Sequence, residues 1–326
     1  MGGDFAPREI VAGAVRAARE LDGLRRIFLV GREDDIRAAL PGGPLPAGVE
    51  IVPASQVIGM GETPAVAVRR KRDASISRAV DLVKAGEADA VYSAGNTGAA
   101  VAATTLKLRA LPGVDRPAIA TVLPSIRGPF VLIDAGANPQ CSPRMLAQFA
   151  AMGMVYAREI LKVPGPRVGL LSIGGEESKG NDVTRETLRL LKRTSLRFEG
   201  NVEGHDLYAG KVHVVVCDGF VGNVVLKTSE SAAHFIGQML REELTRTPWR
   251  ALGAWLARPA LEAVRRRGDA ADYGGAPLLG VNGVCIIGHG SSSARAAYNA
   301  VRVAGEAVAH RINHLITEEV ARVEGA

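Results

Sequence analysis

The chain has 326 residues, of which 47% are apolar and 23% are charged, a balance typical of a folded protein that can bury a large core. Aromatic residues make up only 4%, and no helix-turn-helix, zinc or RNP-type signature is present, so the net charge of +6 does not indicate nucleic-acid binding. The longest apolar runs are too short to predict a membrane span, and three widely spaced cysteines favour a reducing cytoplasm over a disulfide framework.

The first 85 residues predict helices and strands in alternation. Residues 8–21 carry apolar side chains at helical spacing behind Pro7, a favourable residue for a first helical turn. Strands are predicted at 27–30 and 51–52, a turn-rich loop at 41–48, and a second helix at 75–85.

Five short apolar runs in the rest of the chain each end in glycine and small polar residues. Continuous apolar runs are typical of strands buried on both faces of a parallel sheet. Helical patterns at 144–162 and 184–192 lie between them, so the sequence predicts one α/β domain over 1–326 with helices on both faces of the sheet. The runs and their loops are 90–92 with 93–98, 131–133 with 134–138, 168–173 with 174–181, 214–216 with 217–223, and 284–287 with 288–293.

These five loops are the predicted ligand site. In an open parallel sheet the carboxyl ends of the strands border one crevice, so we expect the loops to converge there. Their glycines allow a close approach of the backbone, and their amides and hydroxyls supply donors for an anion, in our interpretation phosphate.

The loop 93–98 offers the first donors. Ser93, Asn96, Thr97 and Gly98 lie between a strand and an alanine-rich helix, where backbone N–H groups are free and the helix dipole favours an anion. The alternative is a tight turn with a capping threonine. Neither a Walker motif nor a dinucleotide fingerprint occurs in the chain.

Two later loops offer catalytic groups. Lys179 can place a point charge on a phosphate or a developing oxyanion, although a surface lysine on a mobile loop is the alternative. His289 is a candidate proton donor, with Ser291 and Ser292 as phosphate or capping ligands. A hydrolase triad using an aspartate is disfavoured because no G-x-S-x-G elbow occurs.

Residues 229–272 predict a helical hairpin. Trp249, Leu252, Trp255 and Leu256 lie on a short helix among arginines, a pattern that suits contact with a membrane interface. Dimerisation through the same hairpin is the alternative, and both can hold together. Basic runs at 69–72 and 265–267 predict attraction to an acidic carrier protein or to anionic lipid, unless they are simply solvated surface.

Eight short motifs occur together and in order over nearly the whole chain. With them the chain resembles the bacterial phosphate acyltransferases that make acyl phosphate from acyl carrier protein thioesters. This resemblance implies a three-layer α/β/α fold related to phosphate acetyltransferases and isopropylmalate-type dehydrogenases, a homodimer, a step in phospholipid synthesis and peripheral attachment to the inner membrane face. The motifs lie at 1–7, 93–99, 133–138, 179–181, 200–204, 217–223, 273–280 and 289–292.

The expected reaction is attack of inorganic phosphate on the thioester carbonyl, with no cofactor and no metal. Lys179 and Asn181 would hold the phosphate or the oxyanion, and His289 would protonate the leaving thiolate. Three further residues, Asp4, Asp134 and Asn138, are expected to orient donors. Asp218 would also orient donors, and it is assigned to the catalytic group with Lys179, Asn181 and His289.

One departure from the family concerns the amino end. Members usually carry a short apolar strand and an Asp-Ala pair before the motif that begins here at Met1. We therefore expect the native protein to have a few more residues, and the sheet to be open where that strand is missing.

Two other classes remain as alternatives. One is a short-chain phosphate acetyl- or butyryltransferase, or a dehydrogenase of the same superfamily; a dehydrogenase would need a nucleotide site. The other is a non-catalytic membrane or carrier-protein adaptor, which would not need five glycine-rich loops.

Overall fold

A computed structural model describes residues 1–40, 42, 44–267 and 270–325. The helices are α1 (Arg8–Glu20), α2 (Glu33–Ala38), α3 (Pro64–Arg70), α4 (Ser75–Lys84), α5 (Thr97–Leu108), α6 (Pro143–Glu159), α7 (Asp182–Leu191), α8 (Gly219–Thr245), α9 (Pro248–Leu256), α10 (Arg258–Arg267), α11 (Ala294–Ala309) and α12 (Ile312–Glu324). The strands are β1 (Ile27–Gly31), β2 (Val49–Pro53), β3 (Ala90–Ser93), β4 (Ala118–Leu123), β5 (Phe130–Ile133), β6 (Val168–Leu171), β7 (Phe198–Val202), β8 (Val214–Val216), β9 (Ala276–Leu279) and β10 (Val284–Ile287).

Eight strands form the central sheet in the order β3-β10-β9-β4-β5-β8-β6-β7, and β1 and β2 form a separate parallel pair. One face of the sheet packs against α6, α7, α11 and α12 through the largest apolar cluster. The other face is covered by α3, α4, α5 and α8. The predicted three-layer α/β/α fold is thereby confirmed.

Strand direction changes within the sheet. β4 pairs antiparallel with both β5 and β9, and β9 pairs antiparallel with β10. The other four ladders are parallel. As a result β3, β10 and β4 run one way, whereas β5, β6, β7, β8 and β9 run the other way.

Most predicted elements lie where the hydrophobic pattern placed them. The five apolar runs are β3, β5, β6, β8 and β10, and α1, α4, α6 and α7 begin within two residues of their predicted starts. The strand predicted at 168–173 ends at Leu171, because Ile173 is 82% exposed in the loop that follows. β4, β7 and β9 were not predicted.

The second half of α8 leaves the body of the protein. Leu226 still packs against the sheet, and the Ser229 hydroxyl contacts Tyr208, whose carbonyl accepts the N–H of Ile126 in the β4–β5 connection. From 230 to 264 no described residue is buried. We call residues 230–264 the arm.

The arm corresponds to most of the hairpin predicted at 229–272. Residues 268–269 of that prediction lie outside the described part, as do residues 41 and 43 of the predicted loop and the side chains of 265–267. None of the helices described is both long enough and apolar enough to cross a bilayer.

A cavity of about 650 Å³ separates β1 from β3. Residues 23–30 line one side and 86–94 the other, with α1 and α11 on one face and α4 on the opposite face. Among the described strands, β1 pairs only with β2 and β3 only with β10. The cavity is therefore a slot between two strand edges that have no partner, and we call it the strand slot.

Candidate functional site

The five glycine-rich loops form two groups at opposite edges of the sheet. Because β3 and β10 run against β5, β6 and β8, loops 93–98 and 288–293 leave one edge and the other three loops leave the opposite edge. We call these the Ser93 edge and the Asp134 edge. The prediction that all five loops converge on one crevice was wrong, since it assumed a sheet without the antiparallel strands β4 and β9.

Asp134 organises the edge that carries its name. Its side chain is fully buried, and Oδ1 accepts the N–H groups of Ile119, Gly136 and Ala137 at 2.9–3.0 Å. Oδ2 accepts the backbone and side-chain N–H groups of Asn138 at 2.7 and 2.9 Å. Burial raises the pKa of the Asp134 carboxyl, and these donors oppose that shift. The carboxylate thus holds the loop 134–138 in one conformation.

The start of α8 fits closely against this loop. A Cβ at Gly222 would lie 1.9 Å from the Asp134 carbonyl oxygen, and one at Gly219 would lie 2.8 Å from the backbone of Asn138. Only glycine permits these approaches. Asp218 accepts the Val221 N–H at 2.8 Å and so caps α8. Asp134, Asn138 and Asp218 therefore lie together. The two carboxylates accept backbone N–H groups, and the Asn138 amide donates to the Pro117 carbonyl and to Asp134.

Two cysteines border the same loops, and burial raises the pKa of both thiols. Burial, followed by the charge of Asp134, raises the pKa of Cys141 to about 12. Burial also raises the pKa of Cys217 well above its usual value. Because a nucleophilic cysteine must ionise, this edge does not support covalent catalysis through sulfur.

Lys179 lies in the β6–α7 loop at the Asp134 edge. The loop is fastened by the Gly175 N–H to Glu203 at 3.1 Å and by the Lys179 N–H to the Glu176 carbonyl. The Lys179 side chain is exposed and makes no ion pair with any described residue. Asn181 caps α7, with Oδ1 accepting the Thr184 N–H at 2.9 Å. The lysine is therefore a positive charge that the loop itself does not neutralise.

Asn96 serves the structure of the Ser93 edge. Its Oδ1 caps α5 by accepting the Ala99 N–H at 2.9 Å. Its Nδ2 donates to the carbonyl oxygens of Gly59 and Met60, both at 3.1 Å. All of its strong hydrogen bonds are thus made within the protein, so its side chain has no donor left for an anion.

The first turn of α5 keeps free donors. The N–H groups of Thr97 and Gly98 make no hydrogen bond with any described residue. Gly98 is required because a Cβ there would lie 2.5 Å from Pro64. The Ser93 hydroxyl makes only a long contact, 3.4 Å, with the Gly95 N–H. Backbone rather than side chains would bind an anion here.

The β10–α11 loop is also fastened internally. His289 Nδ1 lies 2.7 Å from the Ser291 hydroxyl and accepts the Ser291 N–H at 3.3 Å. In the neutral ring the proton is therefore on Nε2, which can donate. Ser292 is 8% exposed, and its N–H binds the His289 carbonyl.

The start of α11 is already occupied by a carboxylate. Glu9 accepts the Ala294 N–H at 2.9 Å, and Ser293 caps the helix through Ala296. A phosphate at this helix start would meet the negative charge of Glu9. The nearby Asp4 joins the same edge, since its N–H donates to the Gly290 carbonyl at 2.8 Å.

The structure thus brings the site residues together in two sets. Ser93, Asn96, Thr97, Gly98, His289, Ser291, Ser292 and Asp4 lie at one edge, and Asp134, Asn138, Lys179, Asn181 and Asp218 at the other. One further polar side chain was not assigned from the sequence. Asn223 is exposed over Gly136 and makes no hydrogen bond with any described residue. Its only signal is its place in the motif at 217–223.

Solved structures of other proteins share this three-layer fold. A phosphotransacetylase from Streptococcus pyogenes matches with a TM-score of 0.58 and 19% identity over 91% of each chain. A branched-chain phosphotransacylase from Enterococcus faecalis matches with a TM-score of 0.53 and 15% identity, over 94% of this chain and 96% of that one. The chain therefore has the phosphotransacetylase-like fold.

Sequence relatives identify the family. A family model described as "Fatty acid synthesis protein" matches residues 1–315. A protein named phosphate acyltransferase from Desulfitobacterium hafniense (strain DSM 10664 / DCB-2) is 51% identical over 327 residues, which is 100% of this chain and 97% of that protein. Another of that name from Synechococcus sp. (strain JA-3-3Ab) is 52% identical, over 98% and 88%. The chain belongs to this phosphate acyltransferase family and is an acyltransferase.

Proposed function

We propose that the chain transfers an acyl group from the thioester of an acyl carrier protein to inorganic phosphate, releasing acyl phosphate and the free carrier thiol. The observation that carries this proposal is the identity of about half of all residues with relatives named phosphate acyltransferase, over essentially the whole chain. A full-length match of this kind includes both loop edges as well as the core.

The chemistry needs charge stabilisation rather than an enzyme nucleophile. A phosphate oxygen attacks the thioester carbonyl, a tetrahedral oxyanion forms, and the C–S bond breaks as the thiolate leaves and takes up a proton. Because phosphate is already anionic, the protein must orient it and offset the developing negative charge.

Lys179 is our candidate for that positive charge. It is exposed at the Asp134 edge, has no ion-pair partner among the described residues, and lies on a loop fastened at both ends. Asn181 at the start of α7 would add backbone N–H groups beside it. Asp134, Asn138 and Asp218 would keep the neighbouring loops in place.

The Ser93 edge supplies the second candidate for phosphate. The free N–H groups of Thr97 and Gly98 support a phosphate site at this edge, and His289 Nε2 is available as a donor to the leaving sulfur. Ser291 and Ser292 would contribute through the same loop. Substitutions at each edge distinguish the two candidates, because only a substitution at the edge that binds phosphate should change the KM for phosphate.

The test is an assay of phosphate-dependent loss of acyl thioester. The acyl group is presented on the carrier protein in one series and on coenzyme A in another, and the assay is repeated in the presence of NAD. Carrier-dependent formation of acyl phosphate is expected. Equal rates with short-chain acyl-coenzyme A would favour the short-chain transacylase alternative, and NAD reduction would favour a dehydrogenase.

We also propose that the protein is a homodimer attached peripherally to the cytoplasmic face of the membrane, where acyl phosphate would enter phospholipid synthesis. The arm supports this, since a helix without buried residues gains no stability from its own body. Trp249 is 83% exposed, and Leu252, Trp255 and Leu256 are exposed with it. The Phe235, Ile236, Met239 and Leu240 side chains of α8 are exposed as well and would suit a second copy.

Two measurements test these attachments. Light scattering gives the oligomeric state, and vesicle sedimentation compares the parent chain with a Trp249→Ser/Trp255→Ser variant. We expect a dimer and a large loss of vesicle binding in the variant. A monomer, or unchanged binding, would contradict the corresponding proposal.

A further inference from the structure

The short helix α3 presents an unneutralised basic face. Ala67 and Val68 are buried against α5, so the opposite face points to solvent. Arg69 and Arg70 at its end and Arg72 just beyond it are exposed, and none of the three forms an ion pair with a described residue. We call these three arginines the α3 basic strip.

The carboxylates of this segment are already engaged. Glu62 accepts Lys71 Nζ at 2.7 Å and the Gly59 N–H at 2.6 Å. Asp73 accepts the Ser55 N–H and hydroxyl at 2.8 and 2.7 Å, and Arg78 lies 3.7 Å away.

Segment 57–78 therefore carries five cations against two carboxylates, a net charge of +3 out of the +6 of the whole chain. Three like charges within four residues repel one another, so the free protein gains nothing from this arrangement.

The arm shows the opposite use of arginine. Arg246 lies 3.1 Å from Glu243 and Arg258 lies 2.7 Å from Glu262, and Arg250 also pairs with Glu243. Both tryptophans of the chain are in the arm, whereas segment 57–78 has no aromatic residue. The α3 basic strip thus lacks the residues that favour a lipid interface and has the charge that favours an acidic protein.

The strip adjoins the Ser93 edge. Pro64 at the start of α3 lies against Gly98 in the first turn of α5, and Asn96 holds the backbone of Met60. Met60 is 52% exposed and Val66 is 46% exposed, so two apolar side chains lie on the same surface as the charges. A partner docked here would have its edge beside the β3 and β10 loops.

We propose that the α3 basic strip, with Met60 and Val66, is the docking surface for the acidic carrier protein that delivers the acyl thioester. This rests on the proposed function with its candidate site at the Ser93 edge, where the carrier would bring its prosthetic arm to the β3 and β10 loops. Unpaired arginines steer an oppositely charged partner and fix its orientation, and the apolar pair supplies a small dry contact.

The experiment compares two donors that carry the same acyl group, the carrier protein and free pantetheine. In the Arg69→Ser/Arg70→Ser/Arg72→Ser variant we expect the KM for the carrier-linked donor to rise roughly tenfold or more at low salt, since steering raises association by that order. The kinetics with the pantetheine thioester should stay the same. High salt should remove the difference between variant and parent, because exposed charges are screened.

The control variant removes the same charge elsewhere. Arg19, Arg189 and Arg311 are exposed and have no ion pair with a described residue. Replacing all three with serine should leave the carrier KM unchanged. An equal rise in the control, or no rise in the test variant, would overturn the docking surface.

Three outcomes separate the possible failures. If the test variant loses binding to anionic vesicles while its carrier KM is unchanged, the strip binds lipid and the proposal fails. If the parent chain turns over neither donor, the proposed function fails and the docking surface fails with it. Normal turnover without a donor-specific KM change refutes the docking surface alone.

Discussion

The two edges of the sheet use polar residues in different ways. At the Asp134 edge one buried carboxylate gathers five N–H donors, and an unpaired lysine lies on the neighbouring loop. At the Ser93 edge Asn96 and Ser293 accept backbone N–H groups at the starts of their helices, and the Ser291 hydroxyl contacts the His289 ring. The remaining donors there are backbone N–H groups and one histidine nitrogen. Glycine and small polar residues therefore mainly make the loops rigid, and only a few groups at each edge remain for a ligand.

The largest effect is expected at the buried carboxylate. Asp134→Ala should lower the free energy of unfolding by at least about 3 kcal/mol, because it leaves several buried donors without an acceptor. Urea unfolding measures this. The control is Asp218→Ala, which removes only a helix cap and should cost about 1 kcal/mol. Equal losses would mean that Asp134 is not the organising group of its edge.

The next effect is on turnover. Lys179→Met should lower kcat about 100-fold, the usual result of removing one group that stabilises an oxyanion, with little change in the melting temperature. Lys192→Met is the matched control, because Lys192 pairs with Glu177 of the same loop. Near-normal turnover of Lys179→Met would contradict this role and favour a phosphate site at the Ser93 edge.

A smaller effect separates capping from ligand binding at Asn96. Asn96→Ala should cost about 1–2 kcal/mol of stability, since it removes a helix cap and two donors to the 59–60 backbone. Asn96→Asp keeps the cap and should recover part of that loss. Both variants should keep the KM for phosphate. A large rise in that KM for a well-folded Asn96→Asp protein would show that the side chain binds the anion after all.

The Ser93 edge also borders the strand slot, and this too can be tested. A short apolar segment of β-branched residues fused before Met1 should raise the stability by on the order of 1 kcal/mol, because it would pair with β1 and β3 and fill the cavity. A glycine-serine segment of equal length is the control. The same melting temperature for both fusions would contradict the expectation of a strand in this place.

The smallest effect concerns pH. In protein prepared with Met1 as its first residue, burial, and then the charge of Arg32, lowers the pKa of the α-ammonium from its usual value of 8.0. The unfolded chain therefore binds more protons between the folded pKa and 8.0, and stability should rise with pH in that window. Acetylation of the amino end should stabilise the protein below pH 8 and have no effect above it. If the acetylated and the free protein differed in stability by the same amount at all pH values, the buried α-ammonium would not be the cause.

Much of the fold follows from hydrophobic pattern alone. β3, β5, β6, β8 and β10 are continuous apolar runs, and the helices between them have the expected spacing. What the pattern does not contain is direction. β4 is as apolar as its neighbours, and β9 has only four residues, yet their antiparallel pairing puts two of the five loops at one edge of the sheet and three at the other.

The site was predicted less well for a related reason. Asn96, Asn181, Asp218 and Ser293 each cap a helix, whereas the sequence analysis considered capping only for a threonine in the 93–98 loop and for the serines after His289. Sequence identifies which residues can bind an anion, but local backbone geometry decides which of them still have a free hydrogen-bonding atom. Lys179 differs from them because its side chain forms no ion pair with any described residue.

Helix α8 joins two distant surfaces as one rod. Its first turn lies against the Asp134 carbonyl and its last turn is in the arm; the helix has 27 residues, which gives it a length of about 40 Å at 1.5 Å per residue. The same continuous helix is closely packed at Gly222 and has no buried residue among those described from 230 onward. A partner that covered the arm would therefore bind one end of an element whose other end forms part of the Asp134 edge.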